Sequence, residues 1–231
     1  MLRIAGQNKG RLNEQSLQLL RESGITIKEE KRKFLMRAPD FPVELLFLRD
    51  DDIPQTVAMG AADLGIVGYN EVAERGCDVE VLQKLGFGGC RISLAIPKGE
   101  RYTGVEYFNG KCVATSYPNV LNCFFAEKGV NANVHTITGS VEIAPAAGLA
   151  DGIFDIVSSG GTLISNGLVE VEQVLQSEAV LIGTPGLEEE KMSIVRQLMS
   201  RFESIRIGYG KKYLVLFADI AKHLKIWNRE V

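Results

Sequence analysis

The residues best suited to chemistry are Asp155-Ile156-Val157-Ser158-Ser159-Gly160-Gly161-Thr162-Leu163, where a short apolar strand runs into small residues and then into a helical turn. Such a turn can hold an anion. Glycines let the backbone approach closely, successive N–H groups converge, the hydroxyls of Ser158, Ser159 and Thr162 add donors, and the start of the helix supplies partial positive charge. A phosphate fits there without a lysine. Asp155, on the strand just before, is placed to accept hydrogen bonds from sugar hydroxyls. The same residues would also serve a plain strand-to-helix turn that needs glycine for positive φ, so the pattern alone leaves both readings open.

Weaker constellations follow other strands. Asn8-Lys9-Gly10-Arg11 sits where open α/β sheets bind ligands, outside the carboxyl end of a strand, though an exposed loop would look the same. Arg49-Asp50-Asp51-Asp52 also follows a strand. Its aspartates suit Mg²⁺ or helix capping, and capping is favoured for Asp51 and Asp52 because Ile53-Pro54 follows. Glu142, in Gly139-Ser140-Val141-Glu142, has the position of a first-turn carboxylate. Tyr117, in Thr115-Ser116-Tyr117-Pro118, can pack against a base or against the following helix. Basic clusters at Lys9 and Arg11, at Lys31 to Lys33 and at Arg49 gain meaning only if they converge in space.

Alternating strands and helices must position these residues, and they give the α/β signature. Strands are expected at Leu2 to Ala5, Val43 to Leu48 and Leu64 to Val67, the last ending at Gly68, with helices over Asn13 to Glu22 and up to Gly60. A second series runs through strands Ile92 to Ile96, Lys111 to Thr115, Asn133 to Ile137 and Ile153 to Val157. Its helices are Pro118 to Glu127, one around Val141 to Leu149, and the turn Thr162 to Asn166. Parallel strands with crossover helices are implied. The remainder holds a strand at Ala179 to Ile182, a long amphipathic helix over Leu187 to Ser204 and a strand at Tyr213 to Phe217. Chain crossings near Phe87 to Gly89 and Gln176 to Ala179 divide the chain into a discontinuous lobe, 1–88 with 179–231, and a second lobe, 89–178.

Composition narrows the function classes. The 231 residues carry a net charge of −3, which speaks against a nucleic-acid stripe, and no stretch is long and apolar enough to span a bilayer. The chain opens on a strand instead of a signal peptide, so a cytoplasmic address is expected. The four cysteines form no Cys-x-x-Cys pair and read as reduced structural thiols. With two histidines in the whole chain, a multi-histidine metal site is excluded and a histidine-activated nucleophile is unsupported.

Seven segments in one order, Asn8 to Leu12, Leu48 to Pro54, Ala62 to Gly68, Phe87 to Arg91, Ala114 to Pro118, Gly139 to Glu142 and Asp155 to Leu163, resemble the ATP phosphoribosyltransferase family of histidine biosynthesis. The resemblance implies a two-lobed α/β fold of the type II periplasmic-binding-protein kind, with the active site in the inter-lobe cleft. It implies condensation of ATP with phosphoribosyl pyrophosphate to N1-phosphoribosyl-ATP and pyrophosphate, without a protein nucleophile. Ser158, Ser159, Gly160, Gly161 and Thr162 would hold the 5′-phosphate, and Asp155 and Glu142 the ribose hydroxyls. Lys9, Arg11, Arg49 and Arg32, or Lys33 under a one-residue shift, would face pyrophosphate and triphosphate oxygens. Gly68 and Tyr117 are the nucleotide-binding candidates. Mg²⁺ would arrive chelated by the substrates, with no protein metal ligands. The resemblance further implies a homo-oligomer. Where the long form continues into a regulatory histidine-binding domain this sequence stops at Val231, although Phe87 to Arg91 resemble the long form. Two expectations remain open: a catalytic core without that domain, or a short form served by a histidyl-tRNA-synthetase-like subunit. Non-catalytic binding modules share the architecture, but no signal peptide or helix-turn-helix points to one. In orotate-type phosphoribosyltransferases two adjacent acids precede the loop, a pattern that Ile156-Val157-Ser158 interrupts.

Overall fold

A computed structural model describes residues 1–27 and 34–208. The chain order is β1 (Leu2–Gln7), α1 (Arg11–Glu22), β2 (Leu35–Arg37), β3 (Val43–Leu48), α2 (Ile53–Ala58), β4 (Leu64–Gly68), α3 (Tyr69–Arg75) and β5 (Glu80–Lys84). It continues through β6 (Cys90–Pro97), β7 (Cys112–Thr115), α4 (Pro118–Lys128), β8 (Asn133–Thr136), β9 (Gly152–Val157), α5 (Gly161–Ser165), β10 (Leu168–Ser177), β11 (Ala179–Gly183) and α6 (Glu189–Gly208).

The strands form two sheets, one ordered β2-β3-β1-β4-β11-β5 and the other β10-β6-β9-β7-β8. The first sheet takes strands from both ends of the described chain. Its central strand β4 is buried along Leu64 to Val67, as a continuous apolar run in a sheet covered on both faces should be. One face packs Leu2, Ile4, Leu45 and Ile66 against α1 and α6, through Leu17, Leu20, Val195, Leu198 and Phe202. The opposite face packs Ala5, Val67, Val180 and Ile182 against Ile53 and Val57 of α2. The second sheet buries Ile92, Leu94 and Phe154 beneath Leu121 and Phe125 of α4 on one side. On its other side Ala95, Ile153 and Val157 meet Val141, Ala144 and Leu163. Among the described residues no helix is long and apolar enough to cross a membrane.

Four expectations need correction or completion. The sheets are mixed: β1 is parallel to β3 and β4, but β11 runs antiparallel to β4 and β5, and β6 antiparallel to β9 and β10. The reversals of β6 and β11 occur where the chain passes from one sheet to the other, whereas β2 pairs antiparallel with β3 within the first sheet.

The helix expected over Val141 to Leu149 is only a 3-10 turn, Val141–Ile143. Its α-helical continuation would need the amide of residue 145 to donate to Val141, and Pro145 has none. Ala144 N–H donates to the Val141 carbonyl instead, at 3.1 Å.

The edge strand β10, ten residues long, lies where no strand was expected. It alternates Val169, Val171 with Glu170, Glu172 and carries register shifts at Glu170/Glu172 and Gln173/Leu175. Charged side chains and bulges are how exposed edges avoid pairing with a second chain. Two shorter strands, β2 and β5, were not expected either. The strand expected at Tyr213 to Phe217 lies outside the described residues.

Candidate active site

The parallel strands of the first sheet bring their carboxyl ends together. Gln7 stands beside Leu48 in the register, and Asn8 N–H donates to the Leu48 carbonyl at 2.8 Å. The Asn8-Lys9-Gly10 loop therefore lies next to the Arg49 turn. Lys9 and Arg11 are exposed, as is the Arg49 side chain, at 69 %. Asp51 does not cap α2 as expected, and neither does Asp52. Asp50–Asp52 form a 3-10 turn, Asp52 is helical and no side-chain cap is made. The Asp51 carboxylate instead holds Arg49 Nε and Arg75 Nη2, each at 3.1 Å, and Asp50 accepts from Gln7 Nε2 at 3.3 Å. Helix α2 is started by Pro54 in its first turn. Arg32 and Lys33 lie outside the described residues.

In the second sheet, β9 delivers Asp155 and then the Ser158-Ser159-Gly160 loop. Gly160 adopts φ 80°, ψ −2°, a left-handed conformation that a Cβ would disfavour, and it starts α5. Gly161 differs: its φ is ordinary, and a Cβ there would meet only Ser159 Oγ, at 3.7 Å. Ser158, Ser159, Gly161 and Thr162 are all exposed. Ser165 Oγ and Asn166 Nδ2 fold back on the carbonyls of Gly161 and Thr162, closing the short helix away from the loop. The first-turn amides are left for an outside acceptor. Burial pushes the Asp155 carboxyl up to about 6; the Ile156 amide works against that rise and the nearby charge of Glu142 adds to it. The charges of Asp155 and Glu142 are thus near enough to act on each other. Glu142 lies in the 3-10 turn after Ser140, which has φ 50° and is the only positive-φ residue besides glycines among the described residues.

Between the two sheets stands a buried polar bridge. Tyr117 is only 7 % exposed, and its hydroxyl donates to Glu71 Oε1 at 2.9 Å. Asn70 Nδ2 donates to the same carboxylate oxygen at 2.9 Å and to the tyrosine oxygen at 3.1 Å. Ser177 Oγ donates to Asn70 Oδ1 at 2.8 Å. Gly68 lies under this bridge. A Cβ built on it would fall 2.3 Å from Asn70 Oδ1, so the residue is glycine to admit the asparagine. One turn on, the Glu74 carboxylate accepts from the backbone amides of Asn119 and Val120, at 3.0 to 3.1 Å, and so caps the start of α4 from the other lobe. In this conformation Tyr117 joins the lobes instead of offering an open ring face. Burial is the main cause that raises the Glu71 carboxyl; the Tyr117 hydroxyl opposes it, and the charges of Asp50 and Asp51 add to it. Tyr117 is raised by burial first and then by Glu71, with a contribution from Asp155. The bridge therefore borders both the Asp50 turn and the Asp155 strand. Burial raises the Cys90 thiol, where β6 begins, and Ser177 and the charge of Arg11 oppose that rise.

Sequence reasoning missed Glu71, Asn70, Glu74 and Ser177. Arg91, at the end of the Phe87 to Arg91 segment, forms a fork with Glu170 and donates to the Ser158 carbonyl. The Asn70, Glu71, Glu74 spacing on a seven-residue helix was the available signal.

Two linked α/β lobes, each built on a mixed sheet, define a fold of the periplasmic-binding-protein type. Solved structures agree on the fold. The periplasmic aliphatic sulphonate binding protein SsuA of Escherichia coli aligns with a TM-score of 0.58 at 14 % identity, over 90 % of this chain and 72 % of that one. An ATP phosphoribosyl transferase complex (HisG:HisZ) from Thermotoga maritima aligns at 0.79 and 27 % identity, over 91 % of this chain and 100 % of the matched chain. The HisG family model, ATP phosphoribosyltransferase, matches residues 49–204. The ATP phosphoribosyltransferase of Parabacteroides distasonis is 57 % identical over 222 residues, 96 % of this chain and 78 % of its own. That of Bacteroides fragilis is 56 % identical over 218 residues, 94 % and 77 %. The chain belongs to the ATP phosphoribosyltransferase family, which catalyses the first step of histidine biosynthesis.

Proposed function

We propose that the Ser158 to Thr162 loop anchors the 5′-phosphate of phosphoribosyl pyrophosphate, with Asp155 and Glu142 on the ribose hydroxyls and Lys9, Arg11, Arg49 and Arg32 facing the pyrophosphate and the ATP phosphates. The observation that carries this reading is the left-handed Gly160, which opens α5 directly after a mostly buried carboxylate and leaves the loop's hydroxyls at the surface. Adenine N1 attacks the anomeric carbon as the pyrophosphate oxygen departs, forming one C–N bond and breaking one C–O bond. Positive charge grows at the sugar, where the carboxylates lie. Negative charge grows on the leaving group, where the basic rim lies.

Mg²⁺ fits this scheme as part of the substrates. Phosphate oxygens are its usual ligands. When bound there, it neutralises part of the pyrophosphate charge. Gly68 and Tyr117 support the nucleotide side through the bridge they share with Asn70. The lobes of this reading are residues 1–88 with 179–231, and 89–178. A cytoplasmic homo-oligomer completes the proposal, with a partner subunit as HisG has in the HisG:HisZ complex of Thermotoga maritima.

The test is direct. Gly161→Asp adds charge at a position with room for a side chain, and Thr162→Val removes a donor. Both are expected to weaken phosphoribosyl pyrophosphate binding in equilibrium titration with Mg²⁺, and unchanged affinity in both refutes the cradle. Arg11→Ala is expected to lower kcat; an effect confined to KM would place that side chain in uniform substrate binding.

A further inference from the structure

Arg91 and Glu170 form a brace at the entrance of the phosphate loop. Arg91 Nε and Nη2 donate to the two oxygens of Glu170, each at 2.5 Å, and Ser93 Oγ donates to the same carboxylate at 2.7 Å. The remaining guanidinium nitrogen, Nη1, donates to the Ser158 carbonyl at 3.2 Å. These residues belong to one face of the second sheet. Arg91 stands opposite Val157, Ser93 opposite Asp155, and Glu170 opposite Ala95 just before a bulge in β10. The bulge re-aims the edge strand toward Arg91. Only a planar fork can hold a carboxylate with two nitrogens and still present a third to a carbonyl.

A trans peptide is planar, with its C=O and N–H opposed, and no cis bond interrupts the described chain. Fixing the Ser158 carbonyl toward Arg91 therefore fixes the Ser159 amide as well, pointing away from Arg91.

We propose that Arg91, held by Glu170 and Ser93, is a positioning residue that presets the phosphate loop and acts on phosphoribosyl pyrophosphate affinity without touching the phosphate. The inference rests on the loop's assignment as the 5′-phosphate site. Glu170 neutralises the guanidinium, so the brace contributes direction more than charge. This separates it from the alternative in which Arg91 is itself a phosphate ligand, because the two respond to Glu170→Gln with opposite signs. Freed from its carboxylate, a ligand arginine would bind phosphate more tightly, whereas a loosened brace binds it more weakly.

The experiment measures phosphoribosyl pyrophosphate Kd with Mg²⁺, and ATP Kd, for the whole chain and for Arg91→Ala, Arg91→Lys, Glu170→Gln, Gly161→Asp and Thr162→Val. Arg91→Ala and Glu170→Gln are expected to weaken phosphoribosyl pyrophosphate about tenfold, as losing a hydrogen bond to a charged group does, with ATP Kd changed less than about twofold. Arg91→Lys is expected not to rescue, since an ammonium cannot span both partners. Tighter binding in Glu170→Gln, or rescue by lysine, overturns the brace. If Gly161→Asp weakens binding while Arg91→Ala and Glu170→Gln do not, the brace fails and the loop assignment stands. If Gly161→Asp and Thr162→Val also have no effect, the loop assignment fails and the brace with it.

Discussion

Asp155→Asn isolates the cost of holding a charge on β9. The carboxyl, ordinarily at 3.8, sits at about 6 in the folded chain, chiefly through burial. Because the folded pKa is raised, the folded state holds the proton more tightly than the unfolded one. Stability contributed by this group is therefore greatest at low pH and falls as pH rises from about 4 to about 6. At roughly 1.4 kcal/mol for each tenfold change in proton affinity, the ionised carboxylate costs about 3 kcal/mol above that window. Asparagine keeps an acceptor for the Ile156 amide and removes the charge. We expect Asp155→Asn to be more stable than the parent at about pH 7.5, with an advantage that shrinks by about 2 kcal/mol on going to about pH 4.5. Urea unfolding of both proteins across this range, compared at each pH, cancels the titration of every other group the two share. The same variant is expected to lose activity, because a ribose hydroxyl would meet a neutral partner. An advantage that does not vary with pH, or a parent more stable at pH 7.5, refutes the assignment of the raised pKa to burial of this carboxylate.

The remaining predictions concern the loop and the bridge. Gly160→Ala is expected to cost about 1 to 2 kcal/mol in urea unfolding, because its φ of 80° is left-handed, whereas Gly161→Ala is expected to cost less than about 0.5 kcal/mol. Gly68→Ala is expected to drive Asn70 from its place and to cost about 1 to 3 kcal/mol. In a Ser177→Ala background the same change should cost less, since both act on the Asn70–Ser177 hydrogen bond. Glu74→Ala removes the cap of α4 and is expected to lower stability by about 1 to 2 kcal/mol; a melting temperature equal to the parent's would deny the cap any role.

The legible part of this fold is whatever the chain spells out locally. Leu64 to Val67 announces a buried strand by its unbroken apolar run. Ser158 to Thr162 announces a turn into a helix because glycine and hydroxyl residues stand together. Contacts across the sequence leave no such trace. Glu71 and Tyr117 meet over a separation of 46 residues, and Arg91 and Glu170 over 79. Each glutamate looks, in its own segment, like a solvated charge. Apolar spacing over Val141 to Leu149 suggests a helix, but the missing amide of Pro145 outweighs it. Asp51 lies where a cap belongs, and two arginines claim its carboxylate first. In both cases a local preference loses to one specific partner, or to the lack of one.

The two carboxylates nearest the loop show why burial alone does not mark a functional acid. Asp155 and Glu170 lie on the same face of the second sheet, on either side of Ser93. Arg91 holds Glu170 below the ordinary carboxylate range, while burial lifts Asp155 above it. One acid is spent on the arginine that directs the loop. The other is raised by burial and by the nearby charge of Glu142, which marks it as a candidate for binding a group from outside the chain. On the proposed reading, a ribose hydroxyl donating to Asp155 would offset the cost of that burial, with the 5′-phosphate held by the Ser158 to Thr162 loop that follows the same strand. The opposed shifts separate a carboxylate held by an arginine from one raised by burial, where residue type does not.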